Sequence, residues 1–127
     1  NTIWEKDGKI YSLGFAELDY DDNLSAGFKV ASNNAKSNLS SYIKNNITND
    51  INNNQGLKNQ DFNALTSEYS KVVTRKIKPE KRFYEKVSFE NVDESLKYKL
   101  HVYSLISIEK NIFQKLTEEN LVVKNQD

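Results

Sequence analysis

The apolar residues near the start of the chain follow two different periods. From Lys9 to Phe15 they alternate, with Tyr11, Leu13 and Phe15 on one face, which predicts a first β-strand. Gly14 within that strand either weakens its end or permits close approach of another backbone. From Leu24 onward the apolar residues recur at steps of three or four, which predicts a long amphipathic helix. Its stripe consists of Leu24, Phe28, Ala31, Ala35, Leu39, Ile43, Ile47 and Ile51.

The length of this helix constrains its position. At 1.5 Å per residue it spans roughly 40 Å, about twice the length of a typical strand. We therefore expect it either to overhang the sheet or to break near Asn45–Asn46. The small residues Gly27, Ala31 and Ala35 predict that its first half lies close to the sheet. The preceding acidic residues and Asn23 suit an N-cap and first turn.

The second half of the chain alternates helical and strand patterns. The polar stretch from Asn52 to Gln60 predicts a loop, and Asp61 is expected to cap a helix that ends before Pro79. The apolar stripe of that helix is Phe62, Leu65, Tyr69, Val72 and Val73. The remaining segments are predicted as strands over Lys81–Phe89 and Lys97–Ser107, a connection over Asn91–Ser95, a helix over Ile108–Leu116, and a partly frayed tail from Thr117.

These elements predict one α+β domain over residues 1–127, with its core at about 9–116. The order is β-α-α-β-β-α. Each apolar stripe must be buried, so we expect a three-stranded antiparallel sheet with the long helix and the second helix packed on one face.

The other face of this sheet is the candidate binding surface. Alternation from Lys97 to Ser107 places Leu100 and Val102 on one face, and Lys99, His101, Tyr103 and Leu105 on the other. Tyr84, Tyr103 and Leu105 are expected to align there, with Tyr98 or His101 according to register. An uncovered sheet face that carries aromatic residues suits an interface, although tyrosines on a solvated sheet explain the pattern equally. The candidate interface is Tyr84, His101, Tyr103 and Leu105.

Composition narrows the classes of function. The chain has 127 residues, no cysteine and no methionine, so disulfides and thiolate sites are excluded. Its 18 basic residues equal its 18 acidic residues, whereas a nucleic-acid-binding protein usually has a basic excess. Lysine and arginine crowd the stretch from Lys71 to Arg82, which we interpret as a solvated helix end and strand start. No apolar run approaches the roughly 20 residues of a transmembrane helix.

Residues that carry chemistry are sparse. His101 is the one histidine, and it has no carboxylate and nucleophile at a recognisable spacing. Strand alternation predicts that His101 and Glu85 lie on opposite faces. The acidic cluster of Asp19, Asp21 and Asp22 lacks the pattern of a calcium loop. We therefore expect no catalytic residues, no metal site and no cofactor, and hence not an enzyme.

Three motifs carry a family resemblance. Trp4 precedes Tyr11-Ser-Leu-Gly-Phe-Ala16, the helix contains Ala31-x-x-x-Ala35-Lys36-x-x-Leu39, and Tyr103-Ser-Leu-Ile-Ser-Ile-Glu-Lys110 leads into the last helix. In order and spacing these resemble the LPP-twenty lipoprotein family, which includes a Helicobacter surface lipoprotein and flagellum-associated envelope proteins. The resemblance covers roughly Trp4 to Leu116. The chain departs from the family pattern in lacking a lipobox cysteine and in its asparagine-rich stretch at Asn52–Gln60.

The resemblance implies a place in the bacterial cell envelope, attached to the outer membrane or periplasmic, through a lipid anchor outside this sequence. It implies self-association or docking onto an envelope or flagellar assembly. From the charge balance we expect no nucleic acid as partner. In that setting Asp21–Ser25 resembles an acceptor sequence for N-glycosylation at Asn23. An alternative function is a small-ligand-binding module with a pocket between the long helix and the sheet, near Gly14, Gly27 and Ala31.

Overall fold

The fold is α+β, as predicted. The computed structural model describes residues 2–52, 55–57, 62–90 and 96–123. In chain order the elements are β1 (Ile3–Lys6), β2 (Lys9–Asp19), α1 (Leu24–Asn52), β3 (Gln55–Leu57), α2 (Phe62–Lys76), β4 (Lys78–Glu90), β5 (Leu96–Glu109), α3 (Lys110–Asn120) and β6 (Leu121–Val123).

The main sheet has four strands rather than the predicted three. Its order is β1-β2-β5-β4, and every neighbouring pair is antiparallel. The additional strand is β1, which forms a hairpin with β2. Asp7 and Gly8 join them with φ values of 52° and 76°. A two-residue hairpin turn favours positive φ at both positions because its twist then matches that of the strands. A separate two-stranded sheet pairs β3 with β6.

Helix α1 continues unbroken through Asn45–Asn46. The two central strands, with 11 and 14 residues, are longer than the typical strand from which an overhang was expected. Ala31, Ala35, Leu39 and Ile43 of its predicted stripe are buried. The expected close approach to the sheet is confirmed at Gly14, where a Cβ atom would lie 1.8 Å from the carbonyl oxygen of Ala31.

Two hydrogen bonds reinforce this contact. The buried Ser12 hydroxyl donates to the Ala35 carbonyl at 2.7 Å, and the hydroxyl groups of Ser32 and Ser104 lie 2.8 Å apart. Small polar side chains therefore hold the helix against the two central strands.

The core forms two apolar clusters on the side of the sheet that α1 covers. In the smaller cluster Ala31 packs with Ala16, Leu100 and Val102. In the larger one, α2 and α3 contribute Tyr69 and Phe113, whose rings stack 6.0 Å apart. Helices α1 and α2 therefore pack on one face, as predicted, and α3 packs on the same face. The larger cluster consists of Ile10, Ala35, Leu39, Ile43, Tyr69, Val72, Val73, Ile106, Ile108 and Phe113.

Several predicted boundaries were wrong. Ile108 was expected to begin a helix, but it is a buried residue of β5 paired with Ile10, and the helix begins at Lys110. The helix continues to Asn120 where a frayed tail was expected, and β6 follows. Strand β4 starts at Lys78 and contains an irregularity between Pro79 and Lys81. Part of the expected Asn52–Gln60 loop is β3. Residues 53–54 and 58–60 of that expected loop lie outside the described residues. The same holds for Asp61 and for the Asn91–Ser95 connection.

Candidate functional site

The candidate site is the face of the main sheet opposite α1, which we call the outer face. Antiparallel register arranges its side chains in rows across the strands, since directly opposed residues share a face. Two rows begin with apolar or aromatic pairs, Trp4 beside Tyr11 and Leu13 beside Leu105, and end on β4 at Lys78 and Lys81. The next row is Phe15, Tyr103 and Phe83, which we call the aromatic row. A charged row follows, consisting of Glu17, His101 and Glu85.

The rings of the aromatic row contact one another across three strands. Tyr103 stacks on Phe83 with ring centroids 4.6 Å apart and lies 5.3 Å from Phe15. Phe15 also meets the His101 ring edge-on at 5.1 Å. Phe15 and Phe83 nevertheless remain 43% and 39% exposed. Aromatic rings on an uncovered sheet face stay partly hydrated. Covering them with another surface is therefore favourable, because it removes apolar area from water.

Electrostatic contacts organise the charged row. The Glu17 carboxylate accepts hydrogen bonds from Lys99 Nζ at 3.0 Å, and it contacts His101 Nε2 at 2.9 Å. These hydrogen bonds, that of Lys99 first, lower the pKa of Glu17. The Tyr103 hydroxyl donates to Glu85 at 3.4 Å. Burial, followed by the Glu85 charge, raises the pKa of Tyr103, so its hydroxyl stays protonated at neutral pH.

Three of the four predicted interface residues lie on the outer face. His101, Tyr103 and Leu105 are there, but Tyr84 is not. Tyr84 pairs with the buried Val102 and points to the helix side, where its ring lies 6.4 Å from that of Phe28. The expected alignment of Tyr84 on the outer face was wrong, because the face of β4 was assigned without knowing its register to β5.

The correct face of β4 carries Phe83. Together with Phe15 of β2, it was missing from the predicted interface. The alternation of Phe83, Val87 and Phe89 was visible in the sequence. Their places opposite Tyr103, Lys99 and Lys97 follow only from the pairing of β4 with β5.

Tyr98, the alternative to His101 according to register, also lies on the helix side. Its ring is 6.0 Å from that of Tyr20, and the Lys86 ammonium lies over both rings, at 4.1 and 4.5 Å. A cation over an aromatic face is favourable even at exposed sites. Tyr20 and Tyr98 therefore contact each other and Lys86, although both rings are exposed at that end of the sheet.

The structure changes the expected relation between His101 and Glu85. His101 and Glu85 were predicted on opposite faces, but they share the outer face, with Nδ1 and Oε1 4.0 Å apart. Both lie on an open sheet surface, and the nearest hydroxyl in the next row, that of Tyr103, donates to Glu85. Among the described residues, no group of three histidine, cysteine, aspartate or glutamate side chains is arranged to hold a metal ion.

The ligand pocket suggested between α1 and the sheet has no space at its expected position. A Cβ atom at Gly14 would overlap backbone atoms of Ala31 and Ala35, and one at Gly27 would lie 2.3 Å from the Leu18 side chain. Ala31 and Ala35 are fully buried. The small residues therefore serve close helix–sheet packing.

Comparison with known proteins gives no relative. No family model, curated protein or solved structure matches the chain. No helix within the described part of the chain is both long and apolar enough to cross a membrane. Asn23 is exposed and caps α1, its side-chain oxygen accepting from the Ala26 N–H at 3.3 Å.

Proposed function

We propose that this chain is a non-enzymatic domain that acts by protein–protein association through its outer face. The observation that carries the proposal is the aromatic row, whose rings remain partly exposed although they are packed and aligned across three strands. Protein interfaces characteristically combine an apolar centre rich in aromatic residues with a polar rim. The apolar rows beside Glu17, His101 and Glu85 have that arrangement.

The family resemblance supports a setting for this association. It favours the bacterial cell envelope, attached to the outer membrane or periplasmic, with membrane contact only through a lipid anchor outside this sequence. The partners are then further copies of the chain or other proteins of an envelope or flagellar assembly. We take self-association as the case to test first, because it needs only the purified chain.

The test is the solution mass of the purified chain by light scattering, from about 10 µM to about 1 mM, the range in which small interfaces associate. The informative variant replaces Phe15 and Tyr103 by serine together. Full burial of a phenylalanine contributes about 1.5–3 kcal/mol. Covering the exposed 43% of Phe15 therefore contributes roughly 1 kcal/mol, or about fivefold in Kd. With Tyr103 included, we expect at least roughly tenfold weaker association.

The matched control is Val30→Ser, which removes an apolar side chain that is 48% exposed on α1, away from the outer face. Circular dichroism checks that each variant is folded. If the double variant associates as strongly as Val30→Ser, the outer face is not the contact surface.

Exposed rings on a sheet can also stack on the bases of single strands. Binding of a fluorescent single-stranded oligonucleotide that is lost in the double variant would therefore contradict an interface with protein.

A further inference from the structure

The two edges of the main sheet differ in how far they are available for pairing. The β1 edge is only four residues long. Beyond it, the Asn34 side chain donates to the Phe15 carbonyl at 2.7 Å, and the Asp22 carboxylate accepts from the Asp19 N–H at 3.1 Å. Side chains near the exposed end of β2 therefore occupy main-chain groups that another strand would use.

The β4 edge is longer and more open. It has 13 residues, and every side chain along it is exposed except Val87, which is half-buried. In the described part of the chain, β4 is the last strand of the sheet, so alternate N–H and C=O groups face outward. Pro79 and the adjacent irregularity interrupt its beginning, whereas pairing with β5 is regular from Lys81 onward. A new strand can therefore add along the second part of β4.

The charges along this edge are complementary to themselves when two copies run antiparallel. Phe83 lies between Lys81 and Glu85 on the outer face, and between Arg82 and Tyr84 in the chain. If Phe83 faces Phe83 of a second copy, Lys81 of each chain lies opposite Glu85 of the other. Arg82 then lies opposite the Tyr84 ring on the helix side. Opposite charges and cation–aromatic pairs directly across antiparallel strands are stabilising.

Neighbouring registers lack this complementarity. Centring the pair on Lys81 or on Glu85 places two like charges face to face. Centring the pair on Arg82 places Lys78 of one copy opposite Lys86 of the other. Centring it on Tyr84 places Arg82 opposite Lys86, so both registers bring like charges together. Among centres from Lys81 to Glu85, only Phe83 places opposite charges across the pair without also placing like charges opposite each other.

We infer that two copies of this chain pair through β4, antiparallel and centred on Phe83, and form one continuous sheet of eight strands. The helices of both copies lie on the same side, and the aromatic row doubles to six rings. The contact is isologous, with the same residues on both copies. This inference extends the proposed function, because it names a second copy as partner and enlarges the outer face. Pairing through β4 does not require the outer face itself to form a contact.

Charge reversal tests the register. We expect Lys81→Glu and Glu85→Lys each to weaken dimerisation at least tenfold, because each creates two pairs of like charges in the dimer. Combining both substitutions in one chain restores both opposite-charge pairs. Mixing the two single variants in equal amounts also restores both pairs, but only in a dimer of one with the other. Native mass spectrometry with one variant isotope-labelled detects that mixed dimer, and light scattering gives its Kd.

The control is Lys29→Glu, which reverses an exposed charge on α1 and is expected to leave dimerisation unchanged. Single reversals that dimerise like the parent, or a mixture that stays monomeric, would overturn the inference. A parent chain that is monomeric at about 1 mM, where even small interfaces associate, would also overturn it.

The Phe15→Ser, Tyr103→Ser variant separates this inference from the proposed function, since neither residue belongs to β4. If this variant still associates but Lys81→Glu does not, the result supports β4 pairing. It also shows that the outer face does not form the contact between copies. The reverse result removes β4 pairing and leaves the proposed function in place.

Discussion

Replacing Gly14 by alanine tests the close contact between α1 and the sheet most directly. The added Cβ atom would lie 1.8 Å from the Ala31 carbonyl oxygen and 2.6 Å from the Ala35 nitrogen. Both are backbone atoms of a helix, so no side-chain rotation relieves the overlap. To reach even 3.0 Å from the oxygen, helix and strand must separate by about 1.2 Å, the difference between 3.0 and 1.8 Å.

That separation also affects the hydrogen bonds beside Gly14. The Ser12 hydroxyl is fully buried and 2.7 Å from the Ala35 carbonyl, so the shift leaves it without its acceptor. An unsatisfied buried polar group costs about 1–3 kcal/mol, and overpacking costs about 1–3 kcal/mol more. We therefore expect Gly14→Ala to lower the free energy of unfolding by about 2–6 kcal/mol, a large part of the stability of an ordinary domain.

Urea unfolding followed by circular dichroism measures this loss, and Gly27→Ala is the matched control. The three atoms nearest to a Cβ atom at Gly27 all belong to the Leu18 side chain, the first at 2.3 Å, so rotation of that side chain can relieve the overlap. Alanine also favours a helix over glycine by about 1 kcal/mol, so the control is expected to be nearly neutral. If Gly14→Ala costs no more than Gly27→Ala, the helix does not lie as close to β2 as described.

Two further predictions concern the core and the charged surface. Leu39→Ala, at a fully buried position, is expected to cost about 2–5 kcal/mol in urea unfolding, whereas Val30→Ala, at an exposed one, stays within about 0.5 kcal/mol. Hydrogen bonds from Lys110 to Glu5 and from Ser107 to Glu80 lower the pKa of both carboxyl groups below 4.5. The pKa of each of these carboxyl groups is lower in the folded state than in the unfolded state. Each group therefore stabilises the fold at a pH above its unfolded-state pKa, and this stabilisation is lost as the pH falls through its folded-state pKa. The melting temperature should therefore drop below about pH 4.5, and a Glu5→Gln, Glu80→Gln variant that keeps the full acid sensitivity would contradict this.

The elements with a strong period were the predictable part of the fold. The stripe of α1 was correct over Ala31, Ala35, Leu39 and Ile43, since one apolar face must be buried wherever the helix packs. Strand β1 was missed although Asp7-Gly8 is a strong hairpin signal, because its four residues alternate too briefly to stand out. Ile108 was assigned to a helix because an isolated run of apolar residues fits either period.

The candidate site was less predictable than the fold because it depends on register. Alternation within one strand separates Phe83 from Tyr84, but it does not show which of them shares a face with Tyr103. Both faces of β4 carry aromatic residues, and the strand is exposed on both sides, so its own pattern does not mark a core side. Only pairing with β5 resolves this, and it brings His101 and Glu85 together as well.

The two proposed contacts use different atoms, and this difference limits the assembly they can build. Pairing through β4 uses main-chain groups of an edge, and its two-fold axis stands perpendicular to the sheet. Contact between two outer faces uses side chains of β2, β5 and β4, and its axis lies parallel to the sheet. If two such perpendicular axes intersect, the assembly closes at four copies and does not grow into a fibre. The parent chain should then reach four copies, the Phe15→Ser, Tyr103→Ser variant two and Lys81→Glu two, while the three substitutions combined leave one. A mass that rises without limit in the parent would mean that the two axes do not intersect.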